Sequence, residues 1–382
     1  MTEAAATVSA AEVALQIDAI RRESGAGRRL AEMLPEESRI YAGRGSSEAE
    51  RLRGYILASF EATDLPSGAA PFVLEELESG RNPYTVAAAG RALRGASAIP
   101  DDAPELLVAA IARLRGRDEV VTFDRFAPGP PVGNGATSLY DLASTLVVLG
   151  RRAISALPAL KTLVEAEGTS FSPPVSAQLA KAMEALSVAQ SHAPACCCHE
   201  PGTTESGSAD RAPAPVAALG VAEIALENQD GVQLSFSEAF LGRPTALAFF
   251  YTRCMNPEKC SRTVTRLGRL ARLLERVAFD ANVAGISYDP SFDRPRRLRT
   301  YGVDRGVVFT PRCSLLRTVG QFEPLMTAFR LGVGFGSTTV NQHRVDLVVL
   351  DRSLRLAKRF ERRLWREDSV LDALRLTGAS GG

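Results

Sequence analysis

The hydrophobic pattern of the first half of the chain has the period of α-helices. From Ala10 to about Ala189, apolar residues recur at intervals of three and four, and Gly, Pro, Asp and Ser mark the breaks. The pattern predicts helices over residues 11–23, 47–61, 70–79, 84–93, 104–114, 139–148, 153–165 and 175–186. We therefore expect an all-α first half, with its acidic and basic residues on solvated helix faces.

Three segments of this half resemble one another. Residues 68–77, 102–111 and 156–163 share a proline near the start followed by an apolar run. They resemble HEAT-type helical repeats, in which stacked helix pairs form a curved solenoid. The spacing between the copies is irregular, and a non-repeating helical bundle is the alternative. No catalytic constellation is visible here, so we expect a scaffold that docks a partner protein.

The pattern changes in the second half to alternating strands and helices. Residues 245–251 and 281–288 are short, continuous apolar runs typical of buried strands, and residues 263–274 have the spacing of an amphipathic helix. Further predicted strands are 222–228 and 232–236 around a hairpin turn, then 345–351 and 354–360, with a last helix over 369–376. This order indicates an α/β domain.

Two cysteines lie at the junction of the first buried strand and its helix. Cys254 follows the strand end, and Cys260 lies at or near the helix start. Helix N-termini favour anions, which lowers the pKa of a thiol. The turn-forming dipeptide Asn256-Pro257 allows the two side chains to converge. This geometry predicts the active corner of a thioredoxin-like fold, used for metal ligation or thiol redox chemistry.

A Cys/His-rich segment and a flexible linker lie between the two halves. Cys196, Cys197 and Cys198 are adjacent, with His192 and His199 close by. Such ligands suit Cu(I) or Zn(II), although no spaced metal motif is present, and a reduced thiol run without function is the alternative. Residues 201–215 have a linker composition. The predicted domains are therefore 1–190, 191–216 and 217–382.

Composition adds limits to these expectations. A chain of 382 residues is long enough for two domains, and its 45% hydrophobic and 23% charged residues are typical of a globular protein. The net charge of +1 gives no general attraction to nucleic acid. We see no signal peptide and no apolar stretch of about 18 residues, so we expect a cytoplasmic protein without a membrane span.

Residues from about 217 to 378 resemble the Sco/SenC family of thioredoxin-fold copper proteins. Residues 228–244 resemble the opening hairpin of the family, and residues 249–254 resemble the strand that delivers its first cysteine. Residues 286–295 resemble its Ile-Ser-x-Asp-Pro-x-x-Asp-x-Pro motif. His343, just before the predicted strand at Val345, matches the position of its metal-binding histidine.

This resemblance implies a copper site formed by Cys254, Cys260 and His343. Two thiolates select Cu(I), and an added imidazole allows the same site to hold Cu(II). The two thiols can also cycle to a disulfide, so that metal binding and redox chemistry use the same atoms. The implied function is copper transfer by a metallochaperone, or copper-linked redox chemistry, with a copper donor or acceptor protein as partner.

Two features depart from the resemblance and keep alternatives open. Five residues separate Cys254 from Cys260, whereas the family normally has three, and the longer loop could favour another metal or disulfide chemistry. Family members are usually membrane-anchored and assemble a respiratory copper centre, whereas we see no anchor in this sequence. The main alternative is a thiol-disulfide oxidoreductase or peroxidase that uses Cys254 and Cys260 without metal. A copper-dependent enzyme and a purely protein-binding domain are the others.

Other polar residues of this half have plainer predicted roles. Cys313 is expected to be an ordinary semi-buried thiol rather than a resolving cysteine. Asp289 and Asp293 are expected to be loop and capping residues, with support of the ligating residues from behind as the alternative. A basic helix is predicted over residues 296–301. The arginines in it and just before it, Arg294, Arg296, Arg297 and Arg299, are expected to form a solvated face rather than an anion site.

Overall fold

The computed structural model describes residues 8–126, 135–166, 170–191 and 220–379. The chain divides into two compact units between Ala209 and Asp210. The predicted metal-binding segment at Cys196–Cys198, with His192 and His199, lies outside the described residues. The domain boundaries predicted above therefore stay predictions.

The first unit is helical throughout, as its hydrophobic period predicts. Its α-helices are α1 (Ala10–Ile20), α2 (Ala26–Ala31), α3 (Ser46–Thr63), α4 (Ala70–Ser79), α5 (Pro83–Arg94), α6 (Ala103–Leu114), α7 (Ser138–Leu149), α8 (Leu157–Glu165) and α9 (Pro173–Ser191). The short helix α2 was not predicted, since six residues give too little periodicity. The helix predicted over 153–165 begins instead as a 3₁₀ segment, Gly150–Ala156, and becomes α-helical at Leu157.

The helices of this unit pack in two rows. Helices α3, α5, α7 and α9 follow one another in the first row, and α4, α6 and α8 follow one another in the second. Side chains such as Ile17, Leu30, Tyr55 and Phe60 are fully buried in the core. Two-row packing is shared by repeat arrays and bundles. The all-α prediction is confirmed, and the HEAT-type repeat is not.

One segment of the described residues is long and apolar enough to cross a membrane. It is Ser138–Glu165, whose most apolar window has a mean hydropathy of 1.2. Helix α7, the 3₁₀ segment and α8 make up this stretch, and 44% of that window is buried inside the protein. The core helices of soluble proteins pass the same test, so the cytoplasmic location stays a prediction.

The second unit is a mixed α/β structure. Its strands are β1 (Ala225–Asn228), β2 (Gln233–Ser235), β3 (Thr245–Phe250), β4 (Asn282–Ser287), β5 (Cys313–Thr318), β6 (Val333–Phe335), β7 (Val340–His343), β8 (Asp346–Leu350) and β9 (Leu356–Glu361). Its helices are α10 (Phe236–Phe240), α11 (Arg262–Arg276), α12 (Pro295–Val303), α13 (Glu323–Phe329) and α14 (Glu367–Ala379).

Seven strands form one sheet in the order β2-β1-β5-β4-β3-β8-β9. Strand β4 is parallel to both β3 and β5, and the other pairings are antiparallel. Every residue of β3 and β4 is buried, which explains their continuous apolar sequences. Helix α11 packs on these strands, and its start lies next to the end of β3.

The sequence pattern misses several short elements of this unit. Helices α10 and α13 and strands β5, β6 and β7 were not predicted. Phe236, predicted to end a strand, begins α10 because Ser235 and Glu238 form a capping box. His343 lies just before the strand β8, as predicted, but it is also the last residue of β7, which pairs with β6 in a separate two-stranded sheet.

Candidate metal centre

The end of β3, the turn before α11 and the end of β7 bring Cys254, Cys260 and His343 together. Nε2 of His343 lies 3.3 Å from Sγ of Cys254 and 3.6 Å from Sγ of Cys260. The three potential ligand atoms all lie within 4.8 Å of one another. The thiol of Cys260 and the imidazole of His343 are buried, whereas Cys254 is half-buried. The open side of the group is therefore the Cys254 side.

The five residues between the cysteines are accommodated by a capped loop and a π-helical turn. The Asn256 side chain accepts a hydrogen bond of 3.0 Å from the backbone N–H of Glu258, which begins the turn Pro257–Ser261. Cys260 lies in this turn, immediately before α11, and its Sγ accepts a hydrogen bond of 3.5 Å from the backbone N–H of Tyr251. The turn thus directs Cys260 back toward the end of β3.

Two aromatic rings and a backbone carbonyl orient the His343 side chain. Its Nδ1 lies 3.1 Å from the carbonyl oxygen of Arg344, which can only accept, so Nδ1 is the donor and Nε2 faces the sulfurs. The ring of Tyr251 meets the imidazole edge-on at 5.4 Å, and that of Tyr288 lies at 5.8 Å. A ligating histidine normally has such a fixed second nitrogen.

The two thiols have opposite acidities. A hydrogen bond from Cys260, supported by His343, holds the pKa of Cys254 well below its usual range, against the opposing effect of burial. Burial, together with the charge of Cys254, raises the pKa of Cys260 well above its usual range. Cys254 is therefore the more acidic thiol of the metal-free pair, and Cys260 is the less acidic one.

The donor set fits a soft metal ion. Ligands bound to one ion at about 2.0–2.3 Å lie about 3.3–3.8 Å apart, which matches both sulfur–nitrogen distances. Two thiolates and an imidazole suit copper or zinc by their softness. Residues 217–363 match the family model SCO1/SenC. The C-terminal unit carries a Sco/SenC domain.

Solved structures similar to this Sco/SenC domain include BsSco, a member of the Sco family of cytochrome c oxidase assembly proteins. Its identity is 18%, its TM-score is 0.37, and the match covers 41% of this chain and 92% of that one. Copper-bound ScoI of Arabidopsis thaliana has 18% identity and a TM-score of 0.34, covering 44% of this chain and 99% of that one. Copper-bound ScoI of Bradyrhizobium japonicum has 22% identity and a TM-score of 0.33, covering 43% and 99%. No curated protein matches the chain.

The motif of residues 286–295 fastens the loop that carries the first cysteine of the Sco/SenC domain. The backbone N–H of Thr252 donates to Asp293 at 3.0 Å, and Nε of Arg253 donates to Asp289 at 2.9 Å. Burial raises the pKa of the Asp293 carboxyl. Support of the ligating residues was only the second choice of the sequence analysis for these two aspartates, because the bonds join residues about 40 positions apart.

Cys313 takes no part in the group. It lies at the start of β5, is 3% exposed, and burial raises its pKa to about 11. This environment is that of an inert buried thiol.

Proposed function

We propose that the Sco/SenC domain binds one copper ion as cargo through Cys254, Cys260 and His343 and transfers it to a partner protein. The observation that carries the proposal is the convergence of these three donor atoms within 4.8 Å. The family match of residues 217–363 supports it. Two sulfurs favour Cu(I), and the imidazole extends the range of the site to Cu(II).

The residues of the site have different parts in this function. Cys254 is the half-buried donor, so it is the atom that an incoming or outgoing ligand reaches first. Cys260 and His343, both nearly inaccessible to water, complete the inner side of the site and exclude solvent. Since Cys260 begins as a thiol of raised pKa, binding copper releases its proton, and affinity increases with pH.

An anaerobic titration of the reduced protein with Cu(I), and then with Cu(II), tests the proposal. Tight binding of one ion that is lost in Cys254→Ser/Cys260→Ser/His343→Ala is the expected result. A Cys196→Ser/Cys197→Ser/Cys198→Ser variant is the matched control and should keep that ion. Stoichiometric binding that survives in the first variant would contradict the proposal.

A thiol-disulfide oxidoreductase or peroxidase is the second candidate, and the unequal thiols favour it. A half-buried thiol of lowered pKa beside a buried thiol of raised pKa is the arrangement of an attacking and a resolving cysteine. Turnover of a disulfide or peroxide by the metal-free protein, retained in His343→Ala and lost in Cys254→Ser, would support this function. Copper transfer needs His343, so the same variant separates the two candidates.

We also propose that the helical unit docks a partner protein and that the protein is cytoplasmic. Its two rows of helices support the first of these, since stacked helices offer extended binding surfaces. Fractionation of cells that express the full chain tests the second. Recovery of the protein in the membrane fraction would contradict it and would direct attention to Ser138–Glu165.

A further inference from the structure

The surface beside Cys254 has an arginine–phenylalanine–arginine stack. The guanidinium of Arg253 lies 4.3 Å from the centre of the Phe292 ring, and that of Arg297 lies at the same distance from it. Arg297 also donates to the side chain of Thr252 at 2.6 Å. Both cations are therefore held in place next to the first cysteine rather than free in solvent.

The charge of this stack is directed outward. The side chains of Arg253 and Arg297 are 32% and 48% exposed. Their acidic partners lie beneath them, since the side chain of Asp289 is 10% exposed and that of Asp293 is 0% exposed. A negatively charged molecule that approaches the site thus meets the guanidinium groups before it meets the carboxylates.

The other charged residues near Cys254 do not cancel the positive charge of the two arginines. Glu258, in the loop between the cysteines, is ion-paired with Arg262. Lys259 donates to the carbonyl oxygen of His343 at 2.9 Å, which adds a further positive charge at the site. Arg294 and Arg296, at the start of α12, are exposed. The surroundings of Cys254 are therefore basic.

The apolar residues of the same surface indicate what kind of molecule it contacts. Met255, which follows Cys254 directly, is 91% exposed, and Phe292 is 39% exposed. Arginine, methionine and aromatic residues are enriched at protein–protein interfaces. A small anion would need only the charged groups, so the exposed methionine and phenylalanine indicate a protein. We infer that Arg253, Met255, Phe292 and Arg297, here called the basic rim, dock an acidic face of the protein that exchanges copper with this site.

The inference rests on the proposed function for its purpose, but its test does not need copper. The probes are three synthetic peptides with the same Ser-Gly-Gly-Ser centre, flanked on each side by four glutamates, four glutamines or four lysines. Methionine methyl groups labelled with ¹³C report binding to the metal-free protein, and Met255→Leu assigns one of the five signals. We expect the glutamate peptide alone to shift the Met255 signal, and to do so less as salt is added.

Charge-removing variants identify the residues responsible. Arg297→Gln should weaken binding of the glutamate peptide at least threefold. The matched control is Arg375→Gln on α14, because Arg375 is 52% exposed and, like Arg297, lies near an aspartate, in its case Asp372. If Arg297→Gln does not fold, Arg253→Gln serves instead, with the same threefold threshold. An equal loss in Arg375→Gln, or equal binding of the glutamate and lysine peptides, would overturn the inference.

Two further outcomes distinguish other possibilities. A shift of the Met255 signal with phosphatidylserine vesicles but not with the glutamate peptide would replace the protein partner by a membrane surface and overturn the inference. Cysteine versions of the peptides then measure Cu(I) transfer, for which we expect the glutamate acceptor to be about tenfold faster than the lysine acceptor at low salt. A protein that binds the glutamate peptide but no copper would refute the proposed function and keep the docking surface.

Discussion

The two units bury polar groups in contrasting ways. In the helical unit, Arg53 is 4% exposed and contacts three carboxylates, those of Glu36 at 3.0 Å, Glu76 at 3.0 Å and Glu75 at 3.4 Å. Burial lowers the pKa of Arg53, but these carboxylates outweigh it and raise the pKa overall. In the Sco/SenC domain, two sulfurs and an imidazole nitrogen converge on one another. The first cluster contains its own cation, whereas the second has the donors that a metal cation would complete.

This difference separates a structural cluster from a site. Carboxylates around a guanidinium group neutralise its charge and accept its hydrogen bonds. Removing one member of such a buried group lowers the stability of the protein. Two sulfurs and an imidazole that converge can instead bind a metal ion, and the two sulfurs can also form a disulfide. The contrast also corrects the sequence analysis, which placed the charged residues of the helical half on solvated faces, since Glu36, Arg53 and Glu75 are buried.

Removing the cation of the helical cluster should have the largest effect on stability. Arg53→Met keeps much of the side-chain volume but leaves three carboxylates without it, so we expect the free energy of unfolding to fall by about 3–5 kcal/mol. Denaturant unfolding followed by circular dichroism measures this change. Arg28→Met is the control, since the Arg28 pair with Glu32 is exposed, and it should change stability by less than about 0.5 kcal/mol. Equal losses in the two variants would mean that the buried cluster is not structural.

In the Cys254, Cys260 and His343 cluster, the expected effect is on the reactivity of the thiols rather than on the stability of the protein. Because the pKa of Cys254 is lowered and that of Cys260 raised, iodoacetamide at pH 7 should modify Cys254 at least about tenfold faster than Cys260. The Cys254 rate should fall only when the pH drops below its lowered pKa, and Cys313 should stay unmodified until near pH 11. Peptide mapping by mass spectrometry measures the three rates.

Unfolded protein is the reference for this measurement. In urea the three thiols should react at similar rates, because burial and the neighbouring groups are lost. Similar rates in the folded protein would show that the pair is not polarised, and the oxidoreductase alternative would lose the observation that favours it.

Sequence reasoning finds those parts of the site that local patterns encode. The buried run at β3 and the period of α11 place Cys254 and Cys260 at a strand end and a helix start, as the structure has them. Strands β6 and β7 have three and four residues, too few for a recognisable alternation, so the actual position of His343 was not predictable from local pattern. Only the resemblance to the Sco/SenC family indicated that His343 is a candidate metal ligand.

Contacts between distant residues account for most of what was missed. The bonds from Thr252 and Arg253 to Asp293 and Asp289 cross between two loops that the fold alone brings together. The burial of Arg53 on α3 likewise depends on contacts with Glu36, in the segment after α2, and with the glutamates of α4. Its position in the helical period resembles that of an exposed arginine. The hydrophobic pattern of a sequence indicates which face of a helix or strand a residue lies on. It does not indicate which distant residue packs against that face.

Removing the hydrogen bond of Lys259 should have the smallest effect and tests how firmly the site holds His343. Lys259→Met keeps the length of the side chain and deletes the donor to the His343 carbonyl oxygen, a bond worth about 0.5–1.5 kcal/mol. Because the carbonyl of Arg344 and the rings of Tyr251 and Tyr288 still orient the imidazole, we expect Cu(I) affinity to fall by less than tenfold. Lys358→Met, on β9, is the control and should leave the affinity unchanged. A loss of more than a hundredfold in a competition titration would mean that the Lys259 ammonium, and not the packing around the ring, positions the histidine.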